Sequence, residues 1–289
     1  MPRNLVANVQ RFGDERRRSW MEALPETIGL VSSRWNLDEI AEPFQPGGSG
    51  AWVAPARRGS DRDLVVKVGW RHPEAEHETD GLREWNGEGT VRLYEYEELG
   101  DSLCMLIERC APGTTLASCS ELDQDVVVAT LLRRLWREPS PGHRFRPLQQ
   151  MCDQWADSFE AKVTKRGTTL DPGLAREGIE LFRSLPGTSD RDVLLCTDLH
   201  AENVLAAQRE PWLVIDPKPY VGDPTYDPLQ HMLNCEGRLH DDARGFATRM
   251  AALLDLDVER LLLWLFARCV EESADWPEHA EVARQIAPR

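Results

Sequence analysis

Two aspartates and an asparagine between residues 194 and 227 have the types and spacing needed for phosphate chemistry. Asp198 follows an apolar run, Asn203 lies five residues later, and Asp216 closes the next apolar run, WLVID. Phosphoryl transfer needs one carboxylate to accept the proton of an attacking hydroxyl. It also needs an amide oxygen and a second carboxylate to hold magnesium against the phosphates. Such hard oxygen ligands suit Mg²⁺.

The alternative for these residues is an acidic turn between two strands, in which Asp and Asn serve only to form the turn. A lone D-x-x-x-x-N pattern favours that interpretation. The position of Asp216 at the end of an apolar run, followed by Gly-Asp-Pro-x-Tyr-Asp at 222–227, favours a kinase instead.

The secondary-structure elements that must position these groups follow two sequence patterns, one in each part of the chain. Short apolar runs and turns near the N-terminus predict strands, whereas helical periodicity dominates later. The predicted elements are a charged helix at 13–25, strands within 37–68, a helix at 73–85, strands at 91–96 and 103–108, helices within 122–185, three short strands (VLLC, NVLAA, WLVID), and helices from 228 onward.

Composition narrows the class of protein. Acidic residues outnumber basic ones by 49 to 34, and the formal charge of −15 disfavours nucleic acid and anionic membranes as partners. The N-terminus has no apolar run of the signal-peptide kind, and no apolar stretch is long enough to span a bilayer. Seven scattered cysteines form no CxxC pair, so we expect a reduced, cytoplasmic protein.

The stretch LLCTDLHAENVL, with WLVIDPKPYVGDPTYD after it, resembles the aminoglycoside phosphotransferase family. It is most similar to the branch of streptomycin 6-kinases and hydroxyurea phosphotransferases. That family usually reads H-G-D-L-H-x-x-N at this loop, whereas this sequence has Cys196 and Thr197 in place of His and Gly. The change concerns the packing of the loop more than its chemistry.

The resemblance implies an α+β, two-lobed protein-kinase-like fold: a small antiparallel-sheet N-lobe (residues 1–110) that binds nucleotide, and a mostly helical C-lobe (111–289) that holds the catalytic and acceptor sites. It implies ATP and Mg²⁺ as cofactors, with Asp198 as catalytic base and Asn203 and Asp216 as magnesium ligands. We expect His200 to orient the loop by hydrogen bonds. Asp223 and Asp227 are expected to tie turns and cap the next helix.

Upstream residues fit the nucleotide lobe by their order. A glycine-rich turn between two strands would let backbone N–H groups approach phosphates, although most such turns are ordinary hairpins. Lys67, in LVVKV, is either a solvent-facing strand residue or the phosphate-contacting lysine of a kinase. Its expected partner on the following helix is Glu78, with Glu74 kept as an alternative. The turn residues are Gly47, Gly48, Ser49 and Gly50.

The strand LCMLIERCAPG fits the segment that leads into a kinase hinge. Backbone groups of Glu108 and Cys110 would then pair with the adenine edge. A buried strand that ends at a Pro-Gly turn describes the same residues equally well.

The acceptor is expected to be a small hydroxylated molecule bound by the C-terminal helices, and a cationic acceptor is one of the options. Glu271, Glu272 and Asp275 could bind ammonium or guanidinium groups, although a solvated helix end explains them as well. The predicted function is antibiotic phosphorylation that gives resistance. A kinase for an endogenous sugar or metabolite and a non-catalytic nucleotide-binding regulator stay open. The oligomeric state is not predicted.

Overall fold

The computed structural model describes residues 1–288, without the side chains of residues 61–63 and of Glu74. The helices are α1 (Arg3–Phe12), α2 (Glu15–Arg34), α3 (Glu78–Trp85), α4 (Glu121–Leu135), α5 (Leu148–Arg166), α6 (Pro172–Ser184), α7 (Leu229–Asn234), α8 (Glu236–Leu254), α9 (Val258–Glu272) and α10 (His279–Ile286). The strands are β1 (Glu39–Ile40), β2 (Ala51–Arg58), β3 (Asp61–Trp70), β4 (Leu93–Leu99), β5 (Ser102–Glu108), β6 (Arg146–Pro147), β7 (Val193–Leu195), β8 (Val204–Ala206), β9 (Trp212–Val214) and β10 (Tyr220–Gly222).

Two compact units make up the chain. One comprises Met1–Thr114 with Leu205–Ile215, and the other comprises Thr115–Val204 with Asp216–Arg289. The first unit therefore takes in the short β8–β9 segment, which lies far from the rest of that unit in sequence. The division into functional lobes at residue 110 stays a prediction.

The first unit is built on an antiparallel five-stranded sheet in the order β1-β2-β3-β5-β4. Because side chains alternate across a strand, each face has its own core. On one face Val66 and Val68 pack with Trp20 and Leu24 of α2. On the other face Val65 and other apolar residues of the sheet pack with α3 and β9.

The second unit is mostly helical, with a three-stranded sheet in the order β6-β10-β7. Strand β10 runs antiparallel to β7 and parallel to β6. The helical core contains the indole of Trp264, which meets the rings of Phe182 and Tyr226 edge to face, with centroids 6.1 and 5.1 Å away. These packed aromatic rings belong to the core of the helical unit.

The fold class and most elements match the sequence prediction. The strand-rich N-terminal region, the helices within 122–185, the three short strands and the C-terminal helices are all present. The helix predicted at 13–25 is α2 and continues to Arg34, and α1, β6 and β10 were not predicted. Within residues 1–288, no helix is both long and apolar enough to cross a membrane.

Candidate active site

The loop after β7 brings Asp198 and Asn203 together. Strand β7 is buried, and a single 3₁₀ turn at Ala201–Asn203 folds the chain back. The Asn203 side-chain amide then donates to the Asp198 carbonyl oxygen at 3.0 Å and approaches Asp198 Oδ2 at 3.4 Å. The five-residue spacing thus places the Asp198 carboxylate beside the Asn203 amide, whose nitrogen already donates a hydrogen bond.

Asp227 fixes the start of this loop. Its carboxylate is fully buried and accepts the backbone N–H groups of Cys196 at 3.1 Å and Thr197 at 2.6 Å, together with the indole N–H of Trp136 at 2.9 Å. Burial raises the pKa of Asp227 to about 6. We expected Asp227 to cap the next helix, and this was wrong: α7 begins after Pro228, and the carboxylate binds the loop instead.

Asp223 has the predicted turn role. Its Oδ1 accepts from the backbone N–H of Thr225 at 2.9 Å, which caps the short turn after β10. Its Oδ2 accepts from Arg260 at 2.7 Å and from the indole of Trp264 at 2.6 Å. The turn is therefore tied to the aromatic core of the helical unit.

Thr197 adopts a backbone conformation that usually requires glycine. Its φ is +50°, in the left-handed region, which is strained for a β-branched residue. The left-handed backbone explains why the family pattern has Gly at this position. In this chain the Thr197 hydroxyl donates to the Lys218 carbonyl at 2.5 Å, and the Lys218 N–H donates to the Cys196 carbonyl at 2.9 Å. The loop is thereby held against the segment that follows Asp216.

Lys218 is the site residue that sequence reasoning missed. Its Nζ lies 2.7 Å from Asp198 Oδ2, and the two side chains are 33% and 17% exposed. The available signal was its place in Asp-Pro-Lys-Pro, two residues after a predicted metal ligand. Asp216 also has a positive φ, +53°, so the backbone is strained on both segments of the site.

His200 does not behave entirely as expected. Its Nδ1 is buried and has no hydrogen-bond partner among residues 1–288, so the predicted orienting bond is not made by this atom. Burial lowers the pKa of His200, although the nearby Asp198 acts in the opposite direction. The ring is therefore neutral near pH 7.

In the first unit, Lys67 and Glu78 form the expected ion pair. Lys67 Nζ lies 2.7 and 2.8 Å from the two carboxylate oxygens of Glu78, and both residues are buried. Lys67 is on β3 between Val53 and Met105, on the sheet face that packs on α3. The solvent-facing alternative for Lys67 is therefore wrong. The side chain of Glu74, the alternative partner, lies outside the described residues.

The glycine-rich turn is bound from its carbonyl side by the N-terminal helices. The Asn4 N–H donates to the Pro46 carbonyl at 3.0 Å, and the Asn4 side chain donates to the Gly47 carbonyl at 2.8 Å. Arg17 donates to the Ser49 carbonyl at 3.2 Å. A Cβ at Gly48 or Gly50 would meet no atom of the described chain within 4 Å. Internal packing therefore does not explain the glycines at positions 48 and 50.

In the predicted adenine-binding segment, both the backbone and the side chain of Glu108 already have hydrogen-bond partners. The Glu108 N–H donates to the Arg92 carbonyl at 2.8 Å, so any pairing with adenine through Glu108 would have to use its carbonyl oxygen. The Glu108 carboxylate accepts from Arg209 at 2.8 to 3.2 Å. Burial raises the pKa of the Cys110 thiol to about 12, which leaves it protonated.

The three predicted acceptor-binding acids already have cationic partners. Glu271 and Glu272 both pair with Arg268, the latter at 2.7 Å. Asp275 lies 2.5 Å from Lys162. A cationic acceptor would have to compete with these ion pairs, and Glu271 is in addition buried. Their role stays a prediction.

The helical unit also contains a cavity of about 480 Å³. Its lining includes Arg133, Trp136, Asp223 and Arg260, but neither Asp198 nor the three predicted acceptor acids. This cavity therefore does not correspond to the acceptor site expected from the sequence.

Comparison with known proteins decides the family. Residues 34–280 match the family described as aminoglycoside/hydroxyurea antibiotic resistance kinase. The chain belongs to this family. As one of these kinases it is a phosphotransferase that acts on small molecules.

Relatives with assigned activities are similar over most of their length. A streptomycin 6-kinase of Streptomyces griseus is 32% identical over 94% of this chain and 89% of its own. A hydroxyurea phosphotransferase of Kitasatospora aureofaciens is also 32% identical, over 99% of this chain and 84% of its own.

Solved structures share the fold. The choline kinase LicA of Streptococcus pneumoniae has a TM-score of 0.62 at 14% identity and covers 91% of this chain and 95% of its own. An aminoglycoside phosphotransferase in complex with ADP and hygromycin B has a TM-score of 0.59 at 12% identity, over 90% of this chain and 99% of its own. Kinases that are named for chemically different acceptors thus share this architecture.

Proposed function

We propose that this resistance kinase transfers the γ-phosphate of ATP to a hydroxyl group of streptomycin or a closely related cationic aminoglycoside. The observation that carries the proposal is the loop after β7, which holds the Asp198 carboxylate beside Asn203 in a chain 32% identical to a streptomycin 6-kinase. Phosphorylation of the drug would give resistance.

Asp198 acts as the general base in this proposal. It accepts the proton of the acceptor hydroxyl as the acceptor oxygen bonds to phosphorus and the bond between phosphorus and the departing ADP oxygen breaks. The anchoring of the loop by Asp227 supports this role, because a base must be held within hydrogen-bond distance of the proton it accepts.

Asn203 and Asp216 are the proposed magnesium ligands. The Asn203 amide nitrogen donates to the Asp198 carbonyl, so its oxygen is the atom of that side chain left to bind a cation. An amide oxygen and a carboxylate fit the preference of Mg²⁺ for hard oxygen donors. When bound, the ion supplies charge that stabilises the phosphates.

Residues of the first unit are proposed to hold the nucleotide. Lys67, kept in place by Glu78, would bind the α- and β-phosphates. The glycine turn would cover the phosphates through backbone N–H groups, a role supported by the open space at Gly48 and Gly50. Backbone groups of Glu108 and Cys110 would pair with adenine. Residues 1–110 and 111–289 stay our proposed functional lobes.

The acidic charge of the chain supports a cationic acceptor. With a formal charge of −15, the protein attracts guanidinium and ammonium groups over distances beyond direct contact. Glu272 and Asp275 are the more accessible of the three predicted acceptor acids, with side chains 21% and 44% exposed. We keep the cytoplasm as the proposed location, since all seven cysteines are free.

The test is magnesium-dependent ADP release with streptomycin, other aminoglycosides, hydroxyurea and simple sugars as acceptors. Asp198→Ala should lower kcat by roughly 10²- to 10⁴-fold while ATP binding stays nearly unchanged, because the variant removes the base and leaves the nucleotide contacts. Asp192→Ala, an exposed aspartate just before β7, is the matched control and should keep full activity.

Other outcomes separate the alternatives. Turnover of a sugar but of no antibiotic would replace the proposed substrate with a metabolite. ATP binding without ADP release on any acceptor would favour a regulator. An Asp198→Ala variant that keeps more than about a tenth of the rate would overturn the assignment of the base.

A further inference from the structure

Lys218 lies at the site without a role in the proposed reaction. Its ammonium group is 2.7 Å from Asp198 Oδ2, closer than the Asn203 amide at 3.4 Å. Among the described residues, both of these side-chain contacts with the carboxylate use Oδ2. The other oxygen, Oδ1, is therefore the one we assign to the acceptor hydroxyl.

The backbone around Lys218 is fixed to the same loop. Its N–H donates to the Cys196 carbonyl, and its carbonyl accepts the Thr197 hydroxyl. These two bonds bracket the residues immediately before Asp198. The ammonium group thus reaches the carboxylate from a segment that is hydrogen-bonded to the loop through both the N–H and the carbonyl of Lys218.

The choice of lysine at this position is informative. Only four of the 34 basic residues of the chain are lysines, and the others are arginines. Two of these four, Lys67 and Lys218, lie at the proposed nucleotide and catalytic positions, and the other two are on α5. A lysine offers one compact charge, whereas arginine spreads its charge over a planar fork of five donors. A compact cation can hold one carboxylate oxygen and leave the other accessible.

A surface ion pair of no consequence is the competing explanation. Exposed ion pairs contribute little to stability, and the Lys218 side chain is 33% exposed. Stability alone therefore does not account for a lysine here. A role for the pair is instead to be sought in its effect on the Asp198 carboxylate.

We infer that Lys218 is the positioning residue of the catalytic base. It holds Oδ2 of Asp198, so that Oδ1 points toward the acceptor hydroxyl throughout the reaction. This inference rests on the proposed function, because it assigns Asp198 as the base. Without Lys218 the carboxylate rotates, and a displacement of about 1 Å can cost roughly 10²-fold in rate.

The kinetic test compares Lys218→Met, Lys218→Arg and the surface control Lys165→Met. Lys218→Met should lower kcat by about 100-fold and change the KM for ATP by less than about twofold. Lys218→Arg should recover kcat to within about tenfold of wild type, since it restores the charge in a less suitable shape. Turnover is followed with streptomycin and as ATP hydrolysis without acceptor.

A double-mutant cycle tests whether Lys218 acts through Asp198. Asp198→Asn with Lys218→Met should be no slower than Asp198→Asn alone, because the lysine has no base left to position. A double variant slower than Asp198→Asn by the full factor would overturn the inference, as would Lys218→Met with kcat within threefold of wild type.

A spectroscopic test is independent of the acceptor and of turnover. With ¹³C at lysine Cε, the protein has four lysine signals, which single substitutions assign. Asp198→Asn should shift the Lys218 signal and leave those of Lys162 and Lys165 in place. An unshifted Lys218 signal would overturn the inference even if Lys218→Met does not fold. An absence of turnover with streptomycin, together with a shifted Lys218 signal, would contradict only the proposed substrate.

Discussion

At the scale of single residues, Asp227 makes the anchoring of the loop after β7 dependent on pH. Its buried carboxylate receives two loop N–H groups and an indole N–H, yet burial still raises its pKa to about 6. In the unfolded chain the same group has a pKa near 3.9. Between these two values the folded protein keeps a proton that the unfolded chain has lost.

This difference predicts a pH dependence of stability. The free energy of unfolding gains a contribution from Asp227 that is fully present below about pH 4 and is lost as the pH rises through about 6. Asp227→Asn removes that contribution. The stability of wild type relative to Asp227→Asn should therefore fall by about 2 kcal/mol between about pH 4.5 and 7.5, measured by urea unfolding.

The comparison isolates one group, because every other titration is common to both proteins. A difference in stability that stays constant with pH would show that the pKa of Asp227 is not raised. Asp192→Asn, at an exposed aspartate just before β7, is the control. The stability of wild type relative to this variant should not change between about pH 4.5 and 7.5.

At the scale of elements, α2 shows that tertiary packing can override the helix-breaking effect of a proline. The sequence predicted a helix at 13–25, whereas α2 continues to Arg34 through Pro25. A proline inside a helix costs about 3 kcal/mol. Trp20, Leu24 and Val31, at helical spacing, are nevertheless buried against the sheet, and that burial outweighs the cost.

Strand β10 was not predicted because its three residues read as a turn. They follow a proline and end at Gly222, which precedes Asp-Pro. A Cβ at Gly222 would come within 2.5 Å of Leu148 on α5, so glycine is required by close packing rather than by a turn. Only the three-dimensional neighbours distinguish these two reasons.

In the turn between β8 and β9, Arg209 binds three acceptors of the first unit, and we call this set of bonds the Arg209 clamp. It leads to a prediction about stability and about the KM for ATP. Arg209 donates to the Glu108 carboxylate, to the Gly87 carbonyl at 2.7 Å and to the Thr90 carbonyl at 2.8 Å. Arg209→Met removes this donor from all three acceptors, and the Glu108 carboxylate keeps its bond from the Arg92 backbone N–H. It should lower the free energy of unfolding by about 3 kcal/mol, because it breaks a largely buried ion pair.

The same substitution should raise the KM for ATP several-fold with little change in kcat, since Glu108 belongs to the proposed adenine-binding segment and not to the loop that holds the proposed base. Gln208→Ala, an exposed neighbour in the same turn, is the matched control for both measurements. An unchanged KM for ATP in a destabilised Arg209→Met protein would separate the clamp from nucleotide binding.

At the scale of the whole molecule, the order of the elements and the main catalytic candidates could be predicted from the sequence. The pairing of Lys67 with Glu78 could also be predicted, since the two residues are close along the chain. The contacts of Asp198 with Lys218 and of Asp227 with Thr197 could not, because they join segments 20 and 30 residues apart. Local periodicity carries no information about such pairings.

The net charge of −15 leads to a prediction about ionic strength. If the acidic field attracts a cationic acceptor, salt should screen that attraction, and the KM for streptomycin should rise several-fold between about 25 and 300 mM NaCl. ATP is an anion, so screening of its repulsion by the acidic protein should lower its KM over the same range. The opposite signs provide the control, because a general effect of salt on the fold would move both constants in one direction. A streptomycin KM that is insensitive to salt would mean that direct contacts, such as those proposed for Glu272 and Asp275, provide the recognition without help from the field.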